Sequence, residues 1–202
     1  TFFTYDFKIT NSILFTDQEQ NFNKVGLDRK AGIKKLSLVK NNYPYLINDL
    51  SSEHQVIFSS ISEIKKCQNI LEIGTYDGKN AFLLSNLFPE SFIYTIDLDY
   101  NDPEFTNTYN RSLNEERLNF CNNRNNILNK NKKIIFKEMN SIKIKNLNKK
   151  FDLIWIDGAH GFPTVTIDIL NSLEILNKNG LILCDDVYTY TLKNDKYYKS
   201  TA

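Results

Sequence analysis

Apolar positions along this chain follow two patterns, and from residue 69 onward the patterns alternate. Short apolar runs bounded by polar residues lie at Asn69–Ile73, Phe92–Ile96, Lys133–Lys137, Phe151–Ile156 and Leu181–Cys184. Runs of that length and density read as strands covered on both faces. Between them, apolar residues recur three and four apart. Ala81, Phe82 and Leu84, with Ser85, give a helix that Pro89 stops. The long polar segment 100–132 holds a helix from Ser112 to Leu128. Val165, Ile169, Leu173 and Leu176 give another, with Pro163 as its first residue and Asn179-Gly180 as its stop. Upstream, Val56, Ile57, Ser60, Ile61 and Ile64 predict a helix to about Lys66, capped by Ser51 or Ser52 with Glu53 in its first turn. Strand–helix alternation predicts an α/β fold, a parallel sheet with helices on both faces. Residues 1–50 carry scattered aromatics without a clear period, and Ile33, Leu36 and Val39 give one short helix there.

Composition narrows the function more than the fold. With 202 residues and 41% apolar content, the chain suits one domain with its own core. A net charge of +1 gives no reason to expect nucleic acid or an anionic membrane as partner. Cys67, Cys121 and Cys184 are odd in number, far apart and form no C-x-x-C pair. They read as free thiols in a reducing compartment, the cytoplasm. No signal peptide and no membrane-spanning apolar run is visible. The chain begins at Thr1 rather than Met, which reads as a fragment of a gene product.

The chemistry gathers at predicted strand ends. Strand one runs into Glu72-x-Gly74-x-x-x-Gly78, a strand, a glycine turn and a helix start. Glycines there let a ligand approach the backbone, and the helix offers free N–H groups. The spacing differs from the Gly-x-Gly-x-x-Gly of a dinucleotide site. Asp97 ends strand two, where a carboxylate suits two ribose hydroxyls. Asp157 ends strand four, and Asp185-Asp186 end strand five. If the last two strands are neighbours, three carboxylates would crowd and repel, a conflict that a hard divalent cation removes.

The glycine turn resembles motif I of the class I methyltransferases that use S-adenosylmethionine (SAM). Asp157-Gly-Ala-His160, followed 28 residues after Asp157 by Asp185-Asp186, is similar to the cation-dependent O-methyltransferases of the catechol and macrocin types. The resemblance covers about residues 51–187. It implies a Rossmann-like fold of sheet order 3-2-1-4-5, with residues 1–50 as a lid or an oligomer contact, the latter making a homodimer, and 51–202 as the SAM-binding domain. It implies Glu72, Gly74, Thr75, Tyr76, Gly78, Asp97, Asn140, Ser141 and Asp157 as cofactor residues. For Tyr76 and Trp155 a core or packing role is the preferred reading over a cofactor one. It implies magnesium or another divalent cation on Asp157, Asp185 and Asp186. His160 stands where the catechol type has a lysine base, and Asp157 joins it in the catalytic pair. His54 falls where the family lines its acceptor site. The family's C-terminal hairpin is missing or only begun, since sixteen residues follow Asp186. The implied activity is methyl transfer to a hydroxyl of a small molecule. A metal-independent methyltransferase, a non-catalytic SAM-binding domain and a nicotinamide-dependent oxidoreductase are the competing readings.

Overall fold

The computed structural model describes residues 11–39, 53–109 and 111–187. Five strands form one parallel sheet in the order β3-β2-β1-β4-β5. They are β1 (Asn69–Ile73), β2 (Phe92–Asp97), β3 (Ile134–Glu138), β4 (Phe151–Ile156) and β5 (Leu176–Cys184). The three central strands stand close to where their apolar runs place them. The expected cap at Ser51 or Ser52 and the C-terminal hairpin lie outside the described residues.

The sheet's alternation sorts two cores. Ile70, Ile93, Leu153 and Trp155 face one way, against Phe58 of α3 (Glu53–Ile64) and Ala81, Leu83 and Leu84 of α4 (Lys79–Leu87). Leu71, Ile73, Tyr94, Ile96, Ile154 and Ile156 face the other, against Ile144 and Leu147 of a 3-10 helix (Ser141–Leu147) and Val165 and Ile175 of α7 (Thr164–Ile175). Successive residues of a strand point to opposite faces, so an unbroken apolar run serves both layers.

Before the sheet come α1 (Asn11–Lys24) and α2 (Arg29–Val39), whose Phe22 and Leu36 join the first core. Only α2 had a sequence signal. To that apolar packing it adds polar bonds to α3. Arg29 and Glu53 form a buried, two-pronged ion pair, with Nε–Oε2 at 3.0 Å and Nη2–Oε1 at 2.6 Å. Ser59 donates to the Gly32 carbonyl and Ser60 to the Asp28 carbonyl, both at 2.8 Å. Such bonds are invisible to a search for apolar period.

The polar segment after β2 holds two helices, α5 (Pro103–Asn107), capped by Asp102, and α6 (Asn114–Leu128). Asn179-Gly180 is not the stop of α7. That helix ends at Ile175, and the chain enters β5 at Leu176, which pairs with Phe151. Residues 177–180 then bulge out before Leu181 pairs with Leu153. Asn177 holds the bulge by donating to Asp152 at 2.7 Å, and Asn179 turns its carbonyl to Lys65 at 2.6 Å. Pro163 precedes α7 as its cap rather than opening it. Among the described residues no helix is long and apolar enough to cross a membrane.

Gly32 sits where α2 and α3 cross. A methyl group there would land on Ser60 Oγ and 2.8 Å from the Val56 carbonyl. Gly32→Ala is expected to lower stability by about 1–2 kcal/mol, because overpacking outweighs the ~1 kcal/mol of added helix propensity. Urea unfolding checks it; an unchanged midpoint would mean that α2 is not pressed onto α3.

Candidate functional site at the carboxyl edge

The carboxyl ends of β1, β2, β4 and β5 are sewn together by backbone bonds. Gly74 and Thr75 N–H both donate to Ile96 O, Asp157 N–H to Ile73 O at 2.8 Å and Asp185 N–H to Ile156 O at 2.9 Å. Gly74 (φ 100°) is glycine because a Cβ would lie 2.7 Å from the Asp157 carbonyl carbon. Gly78 (φ 77°) caps α4, and a Cβ there would lie 2.8 Å from Leu128 on α6. The space these glycines leave is filled by protein. Packing alone therefore calls for glycine at both positions, whatever ligand the turn takes.

Beneath the turn lies Glu72, 1% exposed. Its carboxyl accepts from Asn80 Nδ2 at 2.8 Å and from the Thr95 hydroxyl. Thr75 shares a hydroxyl–hydroxyl bond of 2.7 Å with Thr95. Burial pushes Glu72 up to about 7, against the pull of those two donors. Glu72 and Thr75 therefore shape the turn from below, and Asn80 and Thr95 are partners that the sequence did not reveal.

Asp97 faces the turn from the end of β2. It accepts from Tyr76 N–H at 3.0 Å and from Leu98 N–H at 2.8 Å. Burial raises its pKa; the two N–H groups, then Arg124 and Arg111, pull it down. Each bonded oxygen keeps one lone pair for a ligand.

Beyond β4 and β5, Asp157 and Asp185 meet directly. Asp157 is pushed up to about 8, first by burial, then by the Asp185 charge, by Glu72 and by the hydrogen bond it gives Asp185. The Trp155 indole N–H, which makes no hydrogen bond of good geometry, faces Asp157 and acts the other way. Asp186 (φ 50°) reaches the cluster through His160, whose Nε2 lies 3.6 Å from Asp157 Oδ1 and 3.7 Å from Asp186 Oδ2. All four residues thus converge. Among the described residues no group of three or more His, Cys, Asp or Glu is arranged to hold an ion. The donor chemistry nevertheless fits a hard cation, since the repulsion between Asp157 and Asp185 that raises the Asp157 pKa is of the kind a divalent ion relieves.

The remaining candidates divide. Asn140 uses its side-chain oxygen to cap the 3-10 helix at Ile142 N–H, 3.0 Å away. Ser141 turns its hydroxyl to the buried Asp168 of α7. His54 stacks on Trp155 with ring centroids 5.5 Å apart, and Phe58 packs edge-on to both. Trp155 is core, as expected, whereas Tyr76 is 48% exposed and its core reading fails. Its ring stands with Tyr109 and Phe120 beside two buried arginines, Arg111 and Arg124. Sequence reasoning missed this group because it lies in the polar segment, where α6 has almost no apolar face.

The family model described as a methyltransferase domain matches residues 71–187, more than half of the chain. No curated protein matches the sequence. Among solved structures, a Staphylococcus aureus protein proposed to be a caffeoyl-CoA O-methyltransferase aligns over 87% of this chain and 73% of its own, with 18% identity and a TM-score of 0.51. The O-methyltransferase from Bacillus cereus in complex with SAH aligns over 84% and 72%, with 15% identity and a TM-score of 0.51. The precorrin-6y C5,15-methyltransferase from Geobacter metallireducens aligns over 74% and 71%, with 14% identity and a TM-score of 0.50. At these identities the likeness is one of fold.

Buried Glu72 makes stability depend on pH. Its pKa rises on folding from 4.5 to about 7. The folded state therefore holds the proton more tightly, and the benefit is complete below the unfolded value and lost as pH rises through the folded one. Glu72→Gln removes the charge and keeps a side chain of the same shape. Relative to that variant, the native protein is expected to lose up to about 3 kcal/mol between acid pH and pH 8. Urea titrations at pH 5 and pH 8 check this; an equal gap at both would overturn it.

Proposed function

This chain belongs to the methyltransferase-domain family, and from that premise we propose that it is a SAM- and divalent-cation-dependent O-methyltransferase acting on a hydroxyl of a small molecule. The observation that carries the reading is the convergence of Asp157, Asp185 and His160, with Asp186 reached through His160, beside the turn that Asp97 faces. One strand pair, β1 and β4, brings the cofactor turn and the acidic cluster to one edge.

In this reading Asp97 takes the ribose hydroxyls of SAM, and the Gly74–Gly78 turn carries the rest of the cofactor. Asn140 and Ser141 meet its adenine. Asp157, Asp185 and Asp186 hold the cation. When bound, SAM supplies an electrophilic methyl group and the cation lowers the pKa of an acceptor hydroxyl. His160 is placed to take the proton released when the acceptor oxygen attacks. Its Nε2 faces two carboxylates; once a cation balances these, that nitrogen is free to accept a proton. His54, stacked on Trp155, belongs to the acceptor side, and residues 1–50 are its lid or a dimer contact. The Arg29–Glu53 ion pair links that segment to the first turn of α3, where His54 stands.

A second reading, a metal-independent methyltransferase of the same fold, draws support from the Asp157–Asp185 hydrogen bond, which balances the cluster without an ion. The two separate by experiment. Calorimetry with SAH should give binding that Asp97→Ala weakens by roughly 1.5–3 kcal/mol. Transfer to catechol or sugar hydroxyls should stop with a chelator and return with magnesium, and Asp185→Asn should behave like the chelator. His160→Ala should leave magnesium binding intact and slow transfer roughly 100- to 10,000-fold. Full activity in excess chelator would select the second reading. Absence of SAH binding would remove both.

A further inference from the structure

Three residues other than asparagine and glycine hold a positive φ among the described residues: Asp186, Tyr76 (47°) and Tyr109 (52°). For a bulky side chain this is costly and persists only where surroundings enforce it. The two tyrosines touch, with ring centroids 5.0 Å apart, although Tyr109 is 73% exposed. Phe120 lies 5.5 Å from Tyr76 and completes the contact.

Behind these rings sits Arg111, 5% exposed. Its guanidinium carbon lies 3.9 Å from the Phe105 centroid, 5.0 Å from Phe120 and 5.4 Å from Tyr109. Nε donates to the Thr108 carbonyl at 3.1 Å and Nη2 to the Thr108 hydroxyl, while Nη1 is buried with no partner. No carboxylate among the described residues lies within ion-pair distance of it. Arg124, the neighbouring buried arginine, differs: it pairs with Glu138 at 3.4 Å and lies 4.2 Å from the Phe136 centroid. Burying a cation without a partner is expensive, and ring faces repay only part of that cost. The anion with which Arg111 interacts most strongly is Asp97, whose carboxylate is bound to the Tyr76 N–H.

We propose that Arg111 is a positioning residue for Asp97. Clamped by Phe105, Phe120 and Tyr109, it adds its positive charge to that of Arg124 behind the carboxylate that faces the Gly74–Gly78 turn. The strained Tyr76–Tyr109 contact joins the clamp to the turn itself, so the α5–α6 connection sets the ligand-binding acid on β2. The inference rests on the reading of Asp97 as the ribose-binding group.

The charged and titratable groups facing Asp97 are Glu72, Tyr76 and Asp77 from β1 and its turn, Glu138 from β3, and Tyr109, Arg111, Cys121 and Arg124 from the α5–α6 region. Apart from Arg111 they are common to native protein and variant, so a ratio of affinities cancels them. SAH titrations from pH 4.5 to 8 should give Arg111→Met a dissociation constant near the native one at pH 8. It should be about tenfold weaker at the acid end, the scale of one pKa unit. Arg111→Lys should restore most of the acid-side affinity. A pH-independent ratio, or no difference, would overturn the inference, since a merely structural role weakens binding equally at all pH. NMR titration of the Asp97 carboxyl in ligand-free protein gives an independent reading: its midpoint should rise in Arg111→Met whether or not SAH binds. If SAH fails to bind native protein while that midpoint shifts, the cofactor reading falls and the Arg111–Asp97 coupling stands. Should Arg111→Met not fold, Tyr109→Ala, at an exposed position, should raise the midpoint less; an unmoved midpoint would count against the clamp.

Discussion

Everything at the carboxyl edge depends on how closely β1 approaches β4. The Asp157 N–H bonds to the Ile73 carbonyl, and the Asp157 carbonyl occupies the space a side chain at residue 74 would need. A backbone this tight leaves glycine as the residue that fits, and it fixes the distance between the turn and the acidic cluster. The turn that Asp97 faces and the carboxylates that face His160 are two sides of one strand contact. Displacing either strand would move both.

Below that contact the protein buries charge. Glu72 sits in the layer between sheet and α4, held by Asn80 and Thr95, and its field reaches Asp157. Asp157 in turn shares a hydrogen bond with Asp185. Of these acids Glu72 is buried and Asp157 half-buried, and burial pushes both carboxyls up, to about 7 and about 8. Such a site favours ligands that bring positive charge, which fits both a sulfonium cofactor and a divalent cation.

On the far side, charge of the opposite sign is buried among rings. Arg111 and Arg124 lie against Phe105, Phe120 and Phe136, and Asp97 stands between them and the turn. The edge therefore runs from a cationic, aromatic side to an acidic side, with the glycine turn between. A ligand laid across it would meet both.

The sequence alone determined the strands, their parallel arrangement and the acids at their ends, because an apolar run covered on both faces is a local pattern and the residue after it is readable. Asn69–Ile73 and Phe151–Ile156 are strands with the bounds that pattern gave. Trp155 was legible as core for the same reason. What only the tertiary structure decided depends on contacts between distant segments. The end of α7 moved from Asn179-Gly180 to Ile175, because the pairing of Leu176 with Phe151 outweighed the local stop signal. The glycines proved to be small for Asp157 and Leu128, which lie 83 and 50 residues downstream of them. The arginine cluster behind Asp97 carried no readable period, since polar bonds and stacked rings hold it and neither repeats along a chain; α1 carried none because, among its described side chains, Phe22 is the one apolar residue in the core.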